Sequence, residues 1–212
     1  MFFLVAGPWN QISFEFDMKQ DLIWIDKKEA YSDSESVLTT KTSAFLGIVH
    51  KAAKQLSLNY THIFKTDDDS YVDLRKLYHL LLSESSLTKT PDYLGQCGTK
   101  RLAPIRDLKR KWSVSADLYP EPLYPTYCQG AGFALSRRFV ECAAEENLAN
   151  IRYLPFEDVF VGLLSQRCNI SPTHDHLRRF RMWRSSASGT KEERNVIRHG
   201  LAKREDGDWI VE

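Results

Sequence analysis

Nowhere in the 212 residues does the chain approach the ~20 consecutive apolar residues that a membrane-spanning helix requires. The opening run Met1–Ala6 is apolar, but it is too short for a signal peptide and no basic residue precedes it, so it reads as a buried strand. An excess of one charge is missing too. The 29 Lys and Arg are set against 28 Asp and Glu, a formal net charge of +1, which argues against a surface for nucleic acid or another polyanion. Cysteine is sparse. The four residues Cys97, Cys128, Cys142 and Cys168 contain no CxxC pair, which argues against a structural zinc site and leaves free thiols, one disulfide or two disulfides open. No internal repeat and no linker divides the chain, so one domain over residues 1–212 is expected, large enough to build its core without disulfides.

What is present alternates between strand and helix patterns. Short β segments are expected at Phe2–Ala6 and Leu22–Ile25, and the polar Ser32–Ser36 loop is expected to cap a helix beginning near Val37. That helix carries Phe45, Ile48, Val49, Ala52, Ala53 and Leu56 at close to i, i+3, i+4 spacing. A strand over Tyr60–Thr66 follows, then a helix from Asp73 to Leu82 and a further strand at Tyr93–Leu94. The Pro/Tyr-rich stretch Tyr119–Tyr127 is incompatible with regular helix. Ser136 suits the N-cap of a helix over Arg137–Asn147, and Pro155–Leu164 reads as a loop entering another helix with Glu157 and Asp158 in its first turn. Strand, helix, strand, helix implies α/β layering with a mostly parallel central sheet.

The Asp67-Asp68-Asp69 run directly follows the aromatic-rich strand. Ligands of open α/β sheets bind at the carboxyl ends of strands. If the extended conformation continues through the run, Asp67 and Asp69 share a face and Asp68 opposes them. Two converging carboxylates suit a hard divalent cation such as Mn²⁺ or Mg²⁺, which completes its shell with water and phosphate oxygens. A solvated acidic turn is the competing reading of the triplet alone.

Five segments stand in a fixed order along the chain. They are Lys41-Thr42, Phe64-Lys-Thr-Asp-Asp-Asp69, Pro104–Asp107 with Lys111-Trp112, Tyr124-Pro-Thr-Tyr-Cys-Gln-Gly-Ala-Gly-Phe133 running on to Ser136, and Glu157-Asp-Val-Phe-Val-Gly162. This order resembles the β1,3-galactosyltransferase-like family, which comprises inverting, metal-dependent glycosyltransferases of the GT-A fold. The resemblance runs from about Phe2 to Gly162, the motif-bearing core, and residues 166–212 are expected to form a tail closing over the site.

The resemblance implies a Rossmann-type α/β/α sandwich and transfer of galactose or an N-acetylhexosamine from a UDP-sugar to a glycan, glycoprotein or glycolipid acceptor in a β1,3 linkage. It implies Asp69 and Asp67 as metal ligands, Asp67 alternatively facing the ribose, with His199 in the late Val196–Gly200 segment as the third; His174 and His176 are runners-up. Asp158 is the expected base for the acceptor hydroxyl, and Glu157 its acceptor-binding or structural partner. Lys41, Lys65, Asp68, Trp112, Tyr127, Gly130 and Gly132 are the substrate-binding candidates. The two aromatics suit stacking on sugar faces, and the two glycines suit close approach of the donor. Arg106 is read as meeting phosphate or fixing a loop.

The family also carries an earlier strand, an N-terminal membrane anchor and a Golgi-lumenal location. Those features lie outside the sequence in hand, so it is expected to be a fragment or a shortened product, with membrane association only through an anchor encoded upstream. A catalytically silent relative, acting as a chaperone or glycan-binding module, is the alternative from a different class. Two sequons, Asn59-Tyr-Thr61 and Asn169-Ile-Ser171, point toward a secretory compartment, the second compromised by Pro172.

Overall fold

Strand β3 (His62–Thr66) lies antiparallel to β6 (Cys128–Ser136), with Thr66 opposite Gly132 and Lys65 opposite Phe133, and this pairing fixes the framework. The computed structural model describes residues 3–6, 9–10, 13, 17–18, 22–26, 36–83, 91–110, 112–147, 151–175, 179–181 and 197–199. Strand β6 is also antiparallel to β5 (Tyr93–Cys97), which pairs parallel with β7 (Thr173–His174), giving the order β3-β6-β5-β7. Strands β1 (Phe3–Ala6) and β2 (Leu22–Ile25) pair parallel with each other. In a third sheet, β9 (Ile197–His199) lies between β4 (Ser70–Val72) and β8 (Phe180–Arg181).

The expected mostly parallel central sheet is therefore corrected: two of the three pairings in the four-stranded sheet are antiparallel. The strand-helix-strand reading is right for β3 and β5, which point the same way with a helix between them. Strand β6 arrives through the Pro/Tyr-rich crossing rather than through a helix. A connection without a crossover helix lets it enter between β3 and β5 in the opposite direction.

Side-chain alternation along the strands builds a core on each face of the sheet. Ile63, Tyr93, Phe133 and Leu135 pack on one side with Leu46 of α1 (Val37–Gln55), Phe139 of α3 (Arg137–Cys142) and Phe160 of α4 (Glu157–Arg167). Phe64, Leu94 and Ala134, each one residue along its strand, pack on the other with Leu77 and Leu80 of α2 (Leu74–Ser83) and with Phe180. Helices thus cover both faces, as layering predicts. The Tyr93 ring meets Phe133 and Phe139 edge-on at 5.6 and 5.5 Å, and burying each large ring is worth about 1.5–3 kcal/mol.

Local signals at the helix starts hold in two cases and fail in one. Ser136 accepts the Phe139 N–H (3.1 Å) and caps as expected, and Asp73, expected at the N-terminal end of its helix and standing just before Leu74, accepts the Lys76 N–H (3.0 Å). Ser36 does not: its backbone is left-handed (φ 47°) and its hydroxyl donates toward the Tyr153 carbonyl. The buried face of α1 also differs from the expected stripe. Thr39, Thr42, Ser43, Leu46, His50 and Ala53 face inward while Ile48 is exposed, because the Thr39 and Ser43 hydroxyls bond the Leu154 carbonyl (2.5 Å) and Tyr153 (2.6 Å). Helix α3 passes directly into a π-helical turn over Ala143–Asn147, where the sequence pattern predicts continuous helix.

All four cysteines are paired, Cys97 with Cys128 across β5 and β6, and Cys142 with Cys168 between the helical layer and the end of α4. Among the described residues no helix is long and apolar enough to cross a membrane.

Candidate functional site

The aspartate run is not extended. Strand β3 ends at Thr66, and Asp67–Asp69 make the turn into β4, so the expectation that Asp67 and Asp69 share a strand face is replaced by turn geometry. Backbone from β6 fixes that turn. The Ala131 carbonyl accepts the Asp67 N–H (3.3 Å), the Thr66 hydroxyl (3.0 Å) and the Ser70 hydroxyl (3.5 Å). Asp67 and Asp69 are half-buried and Asp68 is exposed, a split that matches the separation of Asp68 from its neighbours in the sequence reading.

Lys65 joins this turn to the second acidic motif. Its ammonium donates to the Asp67 carboxylate, to the Gly130 carbonyl (2.6 Å) and to Glu157 Oε1 (3.0 Å). The Lys65 and Glu157 side chains are only 19% and 13% exposed, so the pair sits largely out of water. Burial would lower the Lys65 pKa, but the Glu157 and Asp67 carboxylates outweigh it and raise it above the ordinary lysine value. Sequence reasoning placed Lys65 on the substrate; its described contacts are all with the protein.

Gly130 makes room for that arrangement. A Cβ at this position would run into the Glu157 carboxylate and come within 3.8 Å of the Asp158 Cβ. Gly130 and Gly132 lie in the regular strand β6 rather than in a tight turn. The glycine signal was legible as close approach, and in the folded chain the group approaching Gly130 is a carboxylate of the protein itself.

Glu157 and Asp158 occupy the first turn of α4, as their position after Pro155-Phe156 predicts. Asp158 Oδ1 accepts the Val159 N–H at 2.7 Å, a bond to the ionised form that the helix N-terminus reinforces. Burial, and then the charge of Glu157, act more strongly in the other direction and push the Asp158 carboxyl up to about 7. Tyr127 lies in the same field: burial and then the Asp158 charge push its phenol up to about 12. Its Cβ would stand 2.8 Å from a side chain placed at Gly162, one turn beyond Asp158, so this second glycine lets α4 lie against the crossing.

The remaining candidates sit around this centre. Trp112, left-handed at φ 67° and 56% exposed, meets Phe156 edge-on at 5.9 Å, immediately before Glu157. Lys41 lies on α1, two residues beyond Thr39, whose hydroxyl donates to the Leu154 carbonyl. Arg106 fixes a loop: its guanidinium donates to the carbonyls of Val114, Ser115 and Glu121. Strand β9 brings the backbone of His199 opposite Ser70, one residue after Asp69. The His199 side chain, Lys111 and His176 lie outside the described residues, and His174 lies in β7 opposite Gly95. The signals sequence reasoning missed are Thr66 and Ser70, which flank the carboxylates and tie them to Ala131, and Phe156, the support for Trp112.

Among the described residues no group of three or more His, Cys, Asp or Glu side chains converges as a metal cage. By chemistry the donor set suits a hard divalent ion. Such an ion is held by one or two carboxylates, with phosphate oxygens and waters completing its shell, and Asp67 and Asp69, in a turn braced from β6, are the residues that would supply them.

Comparison with known proteins agrees with the order of the motifs. A family model described as Galactosyltransferase matches residues 10–176. Beta-1,3-galactosyltransferase 1 of Mus musculus is 30% identical over 177 residues, covering 84% of this chain and 52% of the relative. Beta-1,3-galactosyltransferase 2 of Mus musculus is 32% identical over 141 residues, covering 65% and 32%. Beta-1,3-galactosyltransferase 5 of Pan troglodytes is 30% identical over 165 residues, covering 78% and 52%. The chain spans about half the length, or less, of these relatives.

Proposed function

Because the chain belongs to the galactosyltransferase family, we propose that it carries the donor and base elements of an inverting transferase moving galactose from UDP-galactose to a glycan acceptor in a β1,3 linkage. The observation that carries this reading is the Lys65 bridge, which holds the Asp67–Asp69 turn and the Glu157–Asp158 helix start in one site. The choice of galactose and of the β1,3 linkage follows the names of the relatives.

In this mechanism the Asp158 carboxylate takes the proton of the acceptor hydroxyl as that oxygen bonds to the anomeric carbon. The attack comes from the face opposite the diphosphate, so the configuration inverts in one displacement. A base with a pKa near 7 suits this task, since it is partly ionised at neutral pH and still basic enough to accept a proton. Glu157, held by Lys65, keeps the start of α4 in place beside β6. Asp69 and Asp67, with His199 opposite the adjoining strand, would hold Mn²⁺ or Mg²⁺. The chemistry such an ion would supply there is neutralisation of the charge developing on the departing diphosphate. Trp112, against Phe156 just before Glu157, and Tyr127, in the field of Asp158, would offer ring faces to sugars. Two disulfides suit an oxidising lumen, in keeping with a Golgi location.

The test is UDP-galactose hydrolysis and transfer, with and without Mn²⁺, on the wild type, Asp158→Asn and Asp69→Ala. Metal-dependent turnover abolished by either substitution is expected. Turnover indifferent to metal and to both substitutions would overturn the mechanism, and absence of UDP binding would favour a silent, glycan-binding relative.

A further inference from the structure

The loop from the end of α1 into β3 contains the sequon Asn59-Tyr60-Thr61, and transferase chemistry gives it no task. We infer that Asn59 is an acceptor site for an N-linked glycan. Asn59 and Thr61 are both exposed, in an irregular stretch that begins with left-handed Ser57 (φ 51°). The middle residue anchors the triplet without hiding it. The Tyr60 ring lies 5.8 Å from the Arg137 guanidinium, and the Thr61 carbonyl accepts the Arg137 N–H (2.8 Å), leaving the Asn59 and Thr61 side chains on the solvent side.

Position favours the modification as well. Asn59 precedes the first residue of β3 and the aspartate turn follows its last, so a glycan at Asn59 projects from the end of the strand away from the site, about 16 Å along it. It would cover Leu56 and Leu58, which are 68% and 48% exposed beside the sequon. The two disulfides suit an oxidising compartment, as addition of such glycans requires.

Asn169 offers the contrast. It is left-handed (φ 51°) at the end of α4, its N–H donates to the Gln166 carbonyl (3.2 Å), Ile170 after it is buried, and Cys168 before it is bridged to Cys142. Pro172 follows its Ser171. Asn169 and Ser171 are themselves exposed, so it is Pro172, directly after the Ser, that is expected to leave this second sequon bare.

In the reaction the Asn59 side-chain nitrogen bonds to the anomeric carbon of an oligosaccharide carried on a lipid diphosphate. The carbon–oxygen bond to the phosphate breaks, the amide gives up one proton, and the lipid diphosphate leaves. This inference stands apart from the transferase reading, since a catalytically silent chain would carry the same glycan.

The test is translation of the full chain, behind a secretory leader, into microsomes, followed by intact mass and peptide mapping before and after enzymatic deglycosylation. One glycan is expected, on Asn59, with deglycosylation converting Asn59 to aspartate. Asn59→Gln and Thr61→Ala should each remove it, Thr61→Ser should retain it, and Asn169→Gln should change nothing. Transfer during translocation precedes folding, so a folding defect in a variant leaves this readout intact. A translocated, protease-protected wild-type chain that carries no glycan at Asn59, or a glycan that survives Asn59→Gln, would overturn the inference.

Discussion

The Lys65 ammonium lies 3.0 Å from the Glu157 carboxylate although 92 residues separate them in the chain. The same ammonium pairs with Asp67, so one buried cation neutralises two carboxylates that would otherwise repel across the junction of β3, β6 and α4. Removing one partner of a buried ion pair strands the others without compensation.

Lys65→Met is therefore expected to lower stability by about 3 kcal/mol and to reduce kcat on the order of 100-fold through misplacement of the site. Lys65→Arg should recover part of both, since the charge is kept while its geometry changes. Thermal unfolding and initial rates of UDP-galactose turnover measure the two effects side by side.

Asp158 has opposite consequences for rate and stability. Its folded-state pKa of about 7 lies above the ordinary aspartate value of about 3.9. The stability this proton affinity contributes is fully present below about 4 and is lost as the pH rises through about 7. Asp158→Asn, which never ionises, should raise Tm at pH 8 by a few degrees, with the gain shrinking as the pH falls toward 4. Wild-type turnover should climb with pH through about 7, and the variant should lose on the order of 10²–10⁴ in rate at every pH. A variant less stable than wild type at pH 8 would contradict this account of the buried carboxyl.

Gly162→Ala should destabilise by about 1–3 kcal/mol. Its new methyl would lie 2.8 Å from the Tyr127 Cβ and 3.0 Å from the Thr126 carbonyl, both parts of the structure with little freedom to retreat. Gly130→Ala acts on a flexible carboxylate instead, so its larger effect is expected on turnover. Comparing Tm with kcat for the two variants separates these outcomes.

Asp69→Ala should abolish the response of turnover to added Mn²⁺ while leaving the unfolding free energy in metal-free buffer within about 0.5 kcal/mol of wild type, the usual range for a change away from the core. Titrating Mn²⁺ against rate, with unfolding followed in chelator, checks both halves.

Replacing Cys142 and Cys168 together by serine opens a loop spanning 26 residues and should cost about 3 kcal/mol in the chain-entropy account. Denaturant unfolding of the double variant against wild type, both fully oxidised, provides the number.

Local rules carried well into the structure where one element sufficed. Asp73 and Ser136 cap their helices because capping needs only a side chain and backbone three residues on. The Glu157-Asp158 pair opens α4 for the same local reason, and the apolar, aromatic-rich run before the aspartates forms strand β3. Ser36 misled because a contact 117 residues away, with Tyr153, competes for its hydroxyl. Strand periodicity is silent about direction, so the antiparallel insertion of β6 was not legible from its apolar pattern.

The sequence by itself determined the candidates for the chemistry and the family: the carboxylate triplet after an aromatic strand, the acidic pair at a helix start, the glycines between them and the order in which they stand. Tertiary structure alone decided how they combine. It turned Asp67–Asp69 out of the strand, with the Asp67 N–H on the Ala131 carbonyl, set Gly130 under the Glu157 carboxylate, and made Lys65 a bridge between Asp67 and Glu157. The reason is physical. A charge buried beside two carboxylates is held by their combined field, and that field exists only once β3, β6 and α4 have come together.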